Sequence, residues 1–317
     1  MNLFTEIRNG NNVALSKGIT LIESELSTEK EEAQSLLSKC KPYSGESIRI
    51  GITGSPGVGK STFIESFGEI LTHKGNKVAV LAIDPTSERT KGSILGDKSR
   101  MEKLAVNKKA FIRPSPSQGN LGGIARKTKE SIILSEAAGY NIILIETVGV
   151  GQSETTISNI VDFCLLLILA GAGDELQGIK RGIMEIADGI AVTKADGDNI
   201  ENAKQAALSY QNSLHLFSRD KDSWNPKASI CSAIENTGIE EIWEIINAYN
   251  TEYTNNQIKE RKRKEQEIYW MHTILKEEIG NKRYKELIEN DELSKIEESI
   301  INNQKSIQEY LNKLLQN

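Results

Sequence analysis

Residues 54 to 61 read Gly54-Ser55-Pro56-Gly57-Val58-Gly59-Lys60-Ser61, between a strand-like run, Ile48 to Thr53, and a helix-like run that begins at Lys60. Wrapping backbone N–H groups around a polyphosphate requires positive φ and a close main-chain approach, which Gly54, Gly57 and Gly59 permit because they lack a Cβ. The loop amides and the partial charge of the helix N-terminus then face the anion. Lys60 is placed to reach the β and γ oxygens, Ser61 offers a hydroxyl suited to Mg²⁺, and Thr62 follows in the first helical turn. The motif implies nucleoside triphosphate binding in a strand-loop-helix unit.

The middle of the chain repeats that alternation. Ile48 to Thr53, Lys77 to Ile83, Asn141 to Thr147, Phe163 to Leu169, Gly189 to Thr193 and Ala228 to Cys231 are short apolar runs separated by longer helical patterns. Their near-continuous hydrophobicity predicts strands buried on both faces, joined by right-handed crossovers. The expected fold is therefore an α/β P-loop NTPase with a mainly parallel central sheet, carrying helical N- and C-terminal extensions. Boundaries are expected at residues 1–45 for the N-terminal helices, 46–250 for the nucleotide domain and 251–317 for a C-terminal helical arm. Near the N-terminus, Thr28 and Glu31 have capping-box spacing, with Pro42 and Gly45 as punctuation before the first strand. In the arm, Leu293, Ile296, Ile300, Ile307, Leu311 and Leu314 form one apolar stripe, suited either to packing back on the core or to self-association.

Ligand loops of such a sheet lie at the strand carboxyl ends, and Gly54, Asp84, Glu146 and Lys194 each follow an apolar run closely. Glu146 opens Glu-Thr-Val-Gly149-Val-Gly-Gln152, a carboxylate followed by a glycine loop and a glutamine. That order suits a metal-linked acid, a γ-phosphate-sensing amide at Gly149 and a water-positioning side chain at Gln152. Asp84 is assigned to water or metal positioning and Asp97 to a nucleotide-sensitive metal contact, since a dication bridging phosphates needs hard oxygen ligands. Arg89 suits transition-state charge or an ordinary surface position.

The base is read further on. Thr193-Lys194-Ala195-Asp196 follows a strand, where Asp196 can accept from the N1–H and exocyclic amine of guanine while the Lys194 stem covers the ring. Adenine has no matching pair of donors. Cys231-Ser232-Ala233 follows a later strand, with the Ala233 amide suited to the guanine O6. GTP and GDP with Mg²⁺ are thus the expected ligands.

The ordered strings Gly54 to Ser61, Asp84-Pro-Thr-Ser, Gly92-Ser-Ile-Leu-Gly-Asp97-Lys, Arg113-Pro-Ser-Pro-Ser, Glu146 to Glu154 and Gly171-Ala-Gly-Asp-Glu-Leu-Gln177-Gly-Ile-Lys180 carry a resemblance. From about Ile19 to Tyr249 the chain resembles the methylmalonyl-CoA mutase-associated GTPases, the MeaB/ArgK type. The resemblance implies a GTPase chaperone for an adenosylcobalamin-dependent acyl-CoA mutase, homodimeric through helical extensions. Hydrolysis would gate cofactor delivery and protect or reactivate the mutase. It also implies a switch segment at Gly171 to Lys180, with Gln177 and Lys180 as messengers to the partner. Many members carry Asn at the position of Thr193. The shorter threonine predicts a weaker brace between phosphate loop and base segment, and weaker nucleotide affinity.

Two other classes compete. An ATP-dependent kinase of a transport protein would need adenine acceptance, which Asp196 does not suggest. A metal-delivery GTPase for a nickel enzyme would need a His-rich tract or Cys/His cluster, whereas His73, His215 and His272 are scattered. The net charge of −5 over 317 residues gives no general basic surface for nucleic acid. Cys40, Cys164 and Cys231 are too widely spaced for a ligand cluster, so buried reduced thiols are expected. The longest apolar stretch, Phe163 to Ala170, is far too short to cross a bilayer, and a cytoplasmic protein is expected.

Overall fold

Strands buried on both faces need helices above and below them, and the chain interleaves helices with most of its strands. The computed structural model describes residues 2–24, 26–84, 101–116, 121–147, 157–170, 181–214, 224–302 and 307–316. These form two units, Met1–Thr251 and Glu252–Asn317.

In the first unit, β1 (Ile48–Gly54) leads through α4 (Lys60–His73) to β2 (Val78–Asp84). A short helix α5 (Glu102–Ala105) precedes β3 (Ala110–Pro116), and α6 (Leu121–Ala137) precedes β4 (Ile142–Thr147). Then follow β5 (Phe163–Leu169), α7 (Arg181–Ile186), β6 (Gly189–Thr193), α8 (Ile200–Leu214), β7 (Lys227–Ile230) and α9 (Ile239–Asn255). The seven strands lie in the order β3-β2-β4-β1-β5-β6-β7, every adjacent pair parallel. All six residues of β4 are buried, as are all five of β6. The sheet is the P-loop NTPase sheet that the hydrophobic runs predicted.

One strand was not among those runs. β3 contains Pro114 and Pro116, which cannot donate to a ladder and therefore belong only at a sheet edge. Its pairing explains how both fit. Val78 N donates to Lys109 O at 2.9 Å, so Lys109 faces β2. Ala110 O instead turns outward and accepts from Asn12 Nδ2 at 3.4 Å. Pro114 and Pro116 share the parity of Ala110, so their missing N–H groups fall on the outward side.

Of the N-terminal helices α1 (Leu3–Arg8), α2 (Asn12–Glu23) and α3 (Ser27–Cys40), α2 lies beside that edge, which would otherwise invite strand pairing, and the other two pack with it against α6. Tyr140 O–H donates to Asn12 Oδ1 at 2.6 Å, and Arg8 Nη1 donates to Ala137 O at 2.7 Å. The Lys127 ammonium donates to Ile22 O, and the Arg113 guanidinium pairs with Glu23. Burial pushes the Tyr140 phenol up to about 12, partly offset by its bond to Asn12. The capping-box expectation fails here: α3 starts at Ser27, so Thr28 sits inside the first turn, and the N-cap residue Leu26 makes no side-chain cap bond. Pro42 lies in a short 3₁₀ turn, Lys41–Tyr43.

The second unit is helical. α10 (Ile258–Glu289) is broken at Gly280, whose φ of 74° and ψ of 161° are non-helical, and α11 (Glu292–Ile301) and α12 (Ile307–Gln316) follow. Leu293, Ile296, Ile300 and Leu311 are buried with Met271, Ile274, Leu275, Tyr284 and Leu287, and Ile307 and Leu314 pack against them. The apolar stripe is thus used inside this unit's own core. Across the break, Tyr284 Oη lies 2.7 Å from His272 Nδ1, and His272 Nε2 lies 3.1 Å from Glu297 Oε1. Among the described residues, no helix is long and apolar enough to cross a membrane.

Candidate nucleotide site

Central β1 is flanked by β4 on one side and β5 on the other, with Ile52 paired to Glu146 and Gly54 paired to Leu167. The loops leaving β1, β4, β6 and β7 therefore open at the same end of the sheet, where open α/β sheets bind ligands.

Leaving β1, the chain needs glycine. Gly54 has φ +151°, and a Cβ built there would stand 2.4 Å from Leu167 O and 3.1 Å from Val58 Cγ1. Gly57 and Gly59 hold φ of +81° and +98°, and Gly59 is the N-cap of α4 with no side-chain cap bond. The first amides of α4 are not engaged by a capping side chain, the arrangement that suits an anion. Within the loop Val58 N donates to Ser55 O at 3.3 Å. Lys60 Nζ donates to Gly54 O at 2.8 Å and Ser55 O at 3.2 Å, so the ammonium folds over the loop. Pro56 and Gly57 are exposed, and so is Thr62 in the first turn of α4.

Ser61 comes next, and its Oγ donates to Glu146 Oε1 at 3.2 Å. Glu146 is 3% exposed and stands one residue before Thr147, the last of β4, whose hydroxyl donates to Thr53 Oγ1 at 3.1 Å. Two hard oxygen donors thus meet beside the phosphate loop, the donor chemistry that fits Mg²⁺. Asp84 ends β2 next to that strand, two residues past Ala82, which pairs with Glu146. Its side chain lies outside the described residues, as do Arg89, Asp97, Gly149, Gln152, Gln177 and Lys180. Among the described residues, no group of three or more His, Cys, Asp or Glu gathers to hold a metal.

At the end of β6, Thr193 is buried and donates from Oγ1 to Val58 O at 2.7 Å, with Ile168 O at 3.3 Å as a second acceptor. The threonine hydroxyl therefore does reach the phosphate loop. Lys194 has a positive φ of 55°, and its Nζ donates to Gly57 O at 3.0 Å, so its stem arches over the loop. Asn199 Nδ2 secures the turn by donating to Lys194 O at 2.7 Å. Asp196 Oδ2 accepts from Ser232 Oγ at 2.6 Å, and Ser232 Oγ accepts from Glu235 N at 3.2 Å. Ala195 N donates to Cys231 O at 3.1 Å, which joins the segments that follow β6 and β7 through the backbone. Ala233 follows, half-buried, in the turn.

Sequence reasoning missed one contact. Ser66 of α4 donates to Asn236 Oδ1 at 2.5 Å, across 170 positions of chain. The Asn-Thr-Gly string at 236 to 238 signals a turn, but nothing local signals its partner.

No disulfide joins the three cysteines, and all are buried. Burial pushes the Cys231 thiol up to about 12, and the Cys40 thiol up to about 11 with a small counter-effect from Arg8.

A glycine phosphate cradle, a serine-glutamate oxygen pair and a carboxylate held by Ser232, all at one end of a parallel sheet, suit a P-loop GTPase, a class that binds guanine nucleotide. The model of the family "Methylmalonyl Co-A mutase-associated GTPase MeaB" matches residues 15–287, and the chain belongs to that family. GTPase ArgK of Escherichia coli (strain K12) is 46% identical over 275 residues, covering 87% of this chain and 83% of its own. The mitochondrial methylmalonic aciduria type A homolog of Mus musculus is 42% identical over 287 residues, covering 87% and 69%. The crystal structure of LAO/AO transport system kinase superposes with a TM-score of 0.76 at 36% identity, covering 99% of this chain and 97% of that one.

Proposed function

We propose that this GTPase is a chaperone that gates adenosylcobalamin loading of methylmalonyl-CoA mutase, or a related acyl-CoA mutase, and protects or reactivates it. Membership of a family associated with that mutase supports the partner class. The observation that carries the nucleotide reading is Asp196, held at 2.6 Å by Ser232 while Lys194 reaches the phosphate loop. A carboxylate in that setting accepts from the N1–H and amine of guanine and has no pair of donors to meet on adenine.

Hydrolysis on this reading is in-line attack of water on the γ-phosphate. Lys60 exchanges its loop carbonyls for phosphate oxygens and neutralises charge that grows in the transition state, while the loop amides hold the β and γ oxygens. Ser61 and Glu146, with Asp84 and Asp97, would hold Mg²⁺, which supplies Lewis-acid neutralisation of the phosphate oxygens. Gln152 and Asp84 position the attacking water, Gly149 senses the γ-phosphate, and Gln177 and Lys180 pass nucleotide state to the partner. We assign residues 1–45, 46–250 and 251–317 to N-terminal helices, GTPase domain and C-terminal arm. Homodimerisation, implied by family resemblance, would use surface other than the stripe already buried inside the arm.

A pull-down from the native cell, with GDP and separately with a non-hydrolysable GTP analogue, tests the proposal. Recovery of a corrin-dependent mutase in a nucleotide-dependent manner is expected. Recovery of a solute-binding protein instead would favour kinase action on a transport system.

A further inference from the structure

We propose that Ser66 and Asn236 form a positioning clamp that fixes the guanine loop against the phosphate-loop helix, so that base selectivity depends on α4. The clamp rests on the guanine reading of Asp196.

Ser66 lies six positions beyond Lys60 on the helix that the phosphate loop opens, and is 5% exposed. Its hydroxyl donates to Asn236 Oδ1 at 2.5 Å. Asn236 holds φ at +55°, a left-handed conformation that asparagine adopts at modest cost and most side chains avoid. A side-chain bond to a helix is one way to keep it there. The turn around it is tightly made. Ser232 N donates to Thr237 O at 3.0 Å, and Thr237 N donates to Ser232 O at 3.1 Å. At Gly238, φ is +72° and a Cβ would fall 2.1 Å from Ile230 O, so the chain turns against its own strand there.

Two further contacts dock the end of this turn on the same helix. The Phe67 and Trp243 ring centroids lie 6.3 Å apart, and Lys74 Nζ lies 2.9 Å from Glu240 Oε1. α4 therefore bears the phosphate loop at its first residue and the exit of the guanine loop along its length. From Asn236 the path to the base reader is short. Glu235 N donates to Ser232 Oγ, and Ser232 Oγ donates to Asp196 Oδ2. A turn released from Ser66 frees the hydroxyl that aims the Asp196 carboxylate.

The test is GDP and IDP affinity by calorimetry on the full chain with Mg²⁺, alongside thermal melting. IDP lacks the exocyclic amine, so the ratio of the two affinities reports how well Asp196 is aimed. Ser66→Ala and Asn236→Ala are expected to weaken GDP about three- to tenfold, the range of one lost hydrogen bond, and to narrow the GDP/IDP ratio. Asn236→Gly removes the conformational cost and the acceptor together, and should narrow it equally. Asn236→Asp keeps an acceptor and should restore the ratio.

An unchanged ratio in the Ala variants overturns the clamp, whether or not their melting temperature falls. Restoration by Asn236→Gly overturns it too, because turn conformation alone would then suffice. Wild-type protein that fails to prefer GDP over ADP overturns the guanine reading and the clamp with it. Wild-type preference with indifferent variants overturns only the clamp.

Discussion

Replacing Thr193 by valine removes one hydroxyl and keeps the side-chain shape, which isolates the brace between base segment and phosphate loop. The hydroxyl donates to Val58 O at 2.7 Å, with Ile168 O at 3.3 Å sharing the proton. Thr193 is 6% exposed and Val58 fully buried, so water cannot readily take over the abandoned carbonyl. An orphaned buried acceptor costs about 1–3 kcal/mol, and the shared proton places this case in the lower half, about 1–2 kcal/mol. A unit of this size loses about 2–4 °C of melting temperature per kcal/mol, so Thr193→Val should melt about 2–8 °C lower.

Nucleotide affinity should fall as well, because the loop must then be ordered by the ligand itself. The loss is bounded by the same free energy, about thirtyfold in Kd at most. Paired measurements of melting and GDP binding check this. A valine variant that melts and binds GDP like wild type would refute the brace. Thr193→Asn extends the test, since an amide brings two donors for the two carbonyls. It should tighten GDP binding, and unchanged or weakened binding would show that threonine limits nothing.

Lys60→Ala should lower GTP hydrolysis by about two orders of magnitude or more, followed by phosphate release, because its ammonium folds over the loop that would hold the phosphates. Asp196→Asn should move preference from GTP toward xanthosine triphosphate, and a variant that keeps full GTP selectivity in competition binding would void the base assignment. Gly238→Ala would drive a methyl into Ile230 O and should reduce soluble, cooperatively melting protein, seen by circular dichroism. The thiols set an alkaline limit. With Cys231 raised to about 12 and Cys40 to about 11, both stay protonated in the fold while the thiols of the unfolded chain ionise above their ordinary value of 9.0. The unfolded state then binds fewer protons, so stability should fall between pH 9 and 12 and fall less in Cys231→Ala, as denaturant titrations would show.

The sheet was legible because burial on both faces writes itself as continuous β-branched and aliphatic runs. β5 and β6 begin and end at the residues the hydrophobic runs predicted, Phe163–Leu169 and Gly189–Thr193. β3 was not, because Pro114 and Pro116 argue against any strand until the sheet order shows that this one lies at an edge. The phosphate loop was legible for a related reason: glycine identity at 54 encodes both a positive φ and the nearness of Leu167 O, so a backbone requirement surfaces as a letter. Ser66 and Asn236 carry no such mark. A serine inside a helix and an asparagine in a turn are each ordinary, and only the tertiary fold makes them partners.

The C-terminal arm shows the opposite limit, where a legible pattern underdetermines its use. Periodicity in Leu293, Ile296, Ile300, Ile307, Leu311 and Leu314 says that one face must leave water, and says nothing of what covers it. Gly280, in the helix before the stripe, bears on that locally. With φ at 74° the helix cannot continue straight, and the chain after the break returns so that Tyr284 and Leu287 share a core with Met271, Ile274 and Leu275. The stripe itself lies on α11 and α12, and Leu293, Ile296, Ile300 and Leu311 join that same core. Association of this protein therefore cannot be argued from the amphipathic pattern. Light scattering on Gly280→Ala against wild type tests that dependence: straightening the break should uncover the stripe and raise the oligomeric mass, and an unchanged mass with an unchanged melt would show that the fold of the arm does not rest on Gly280.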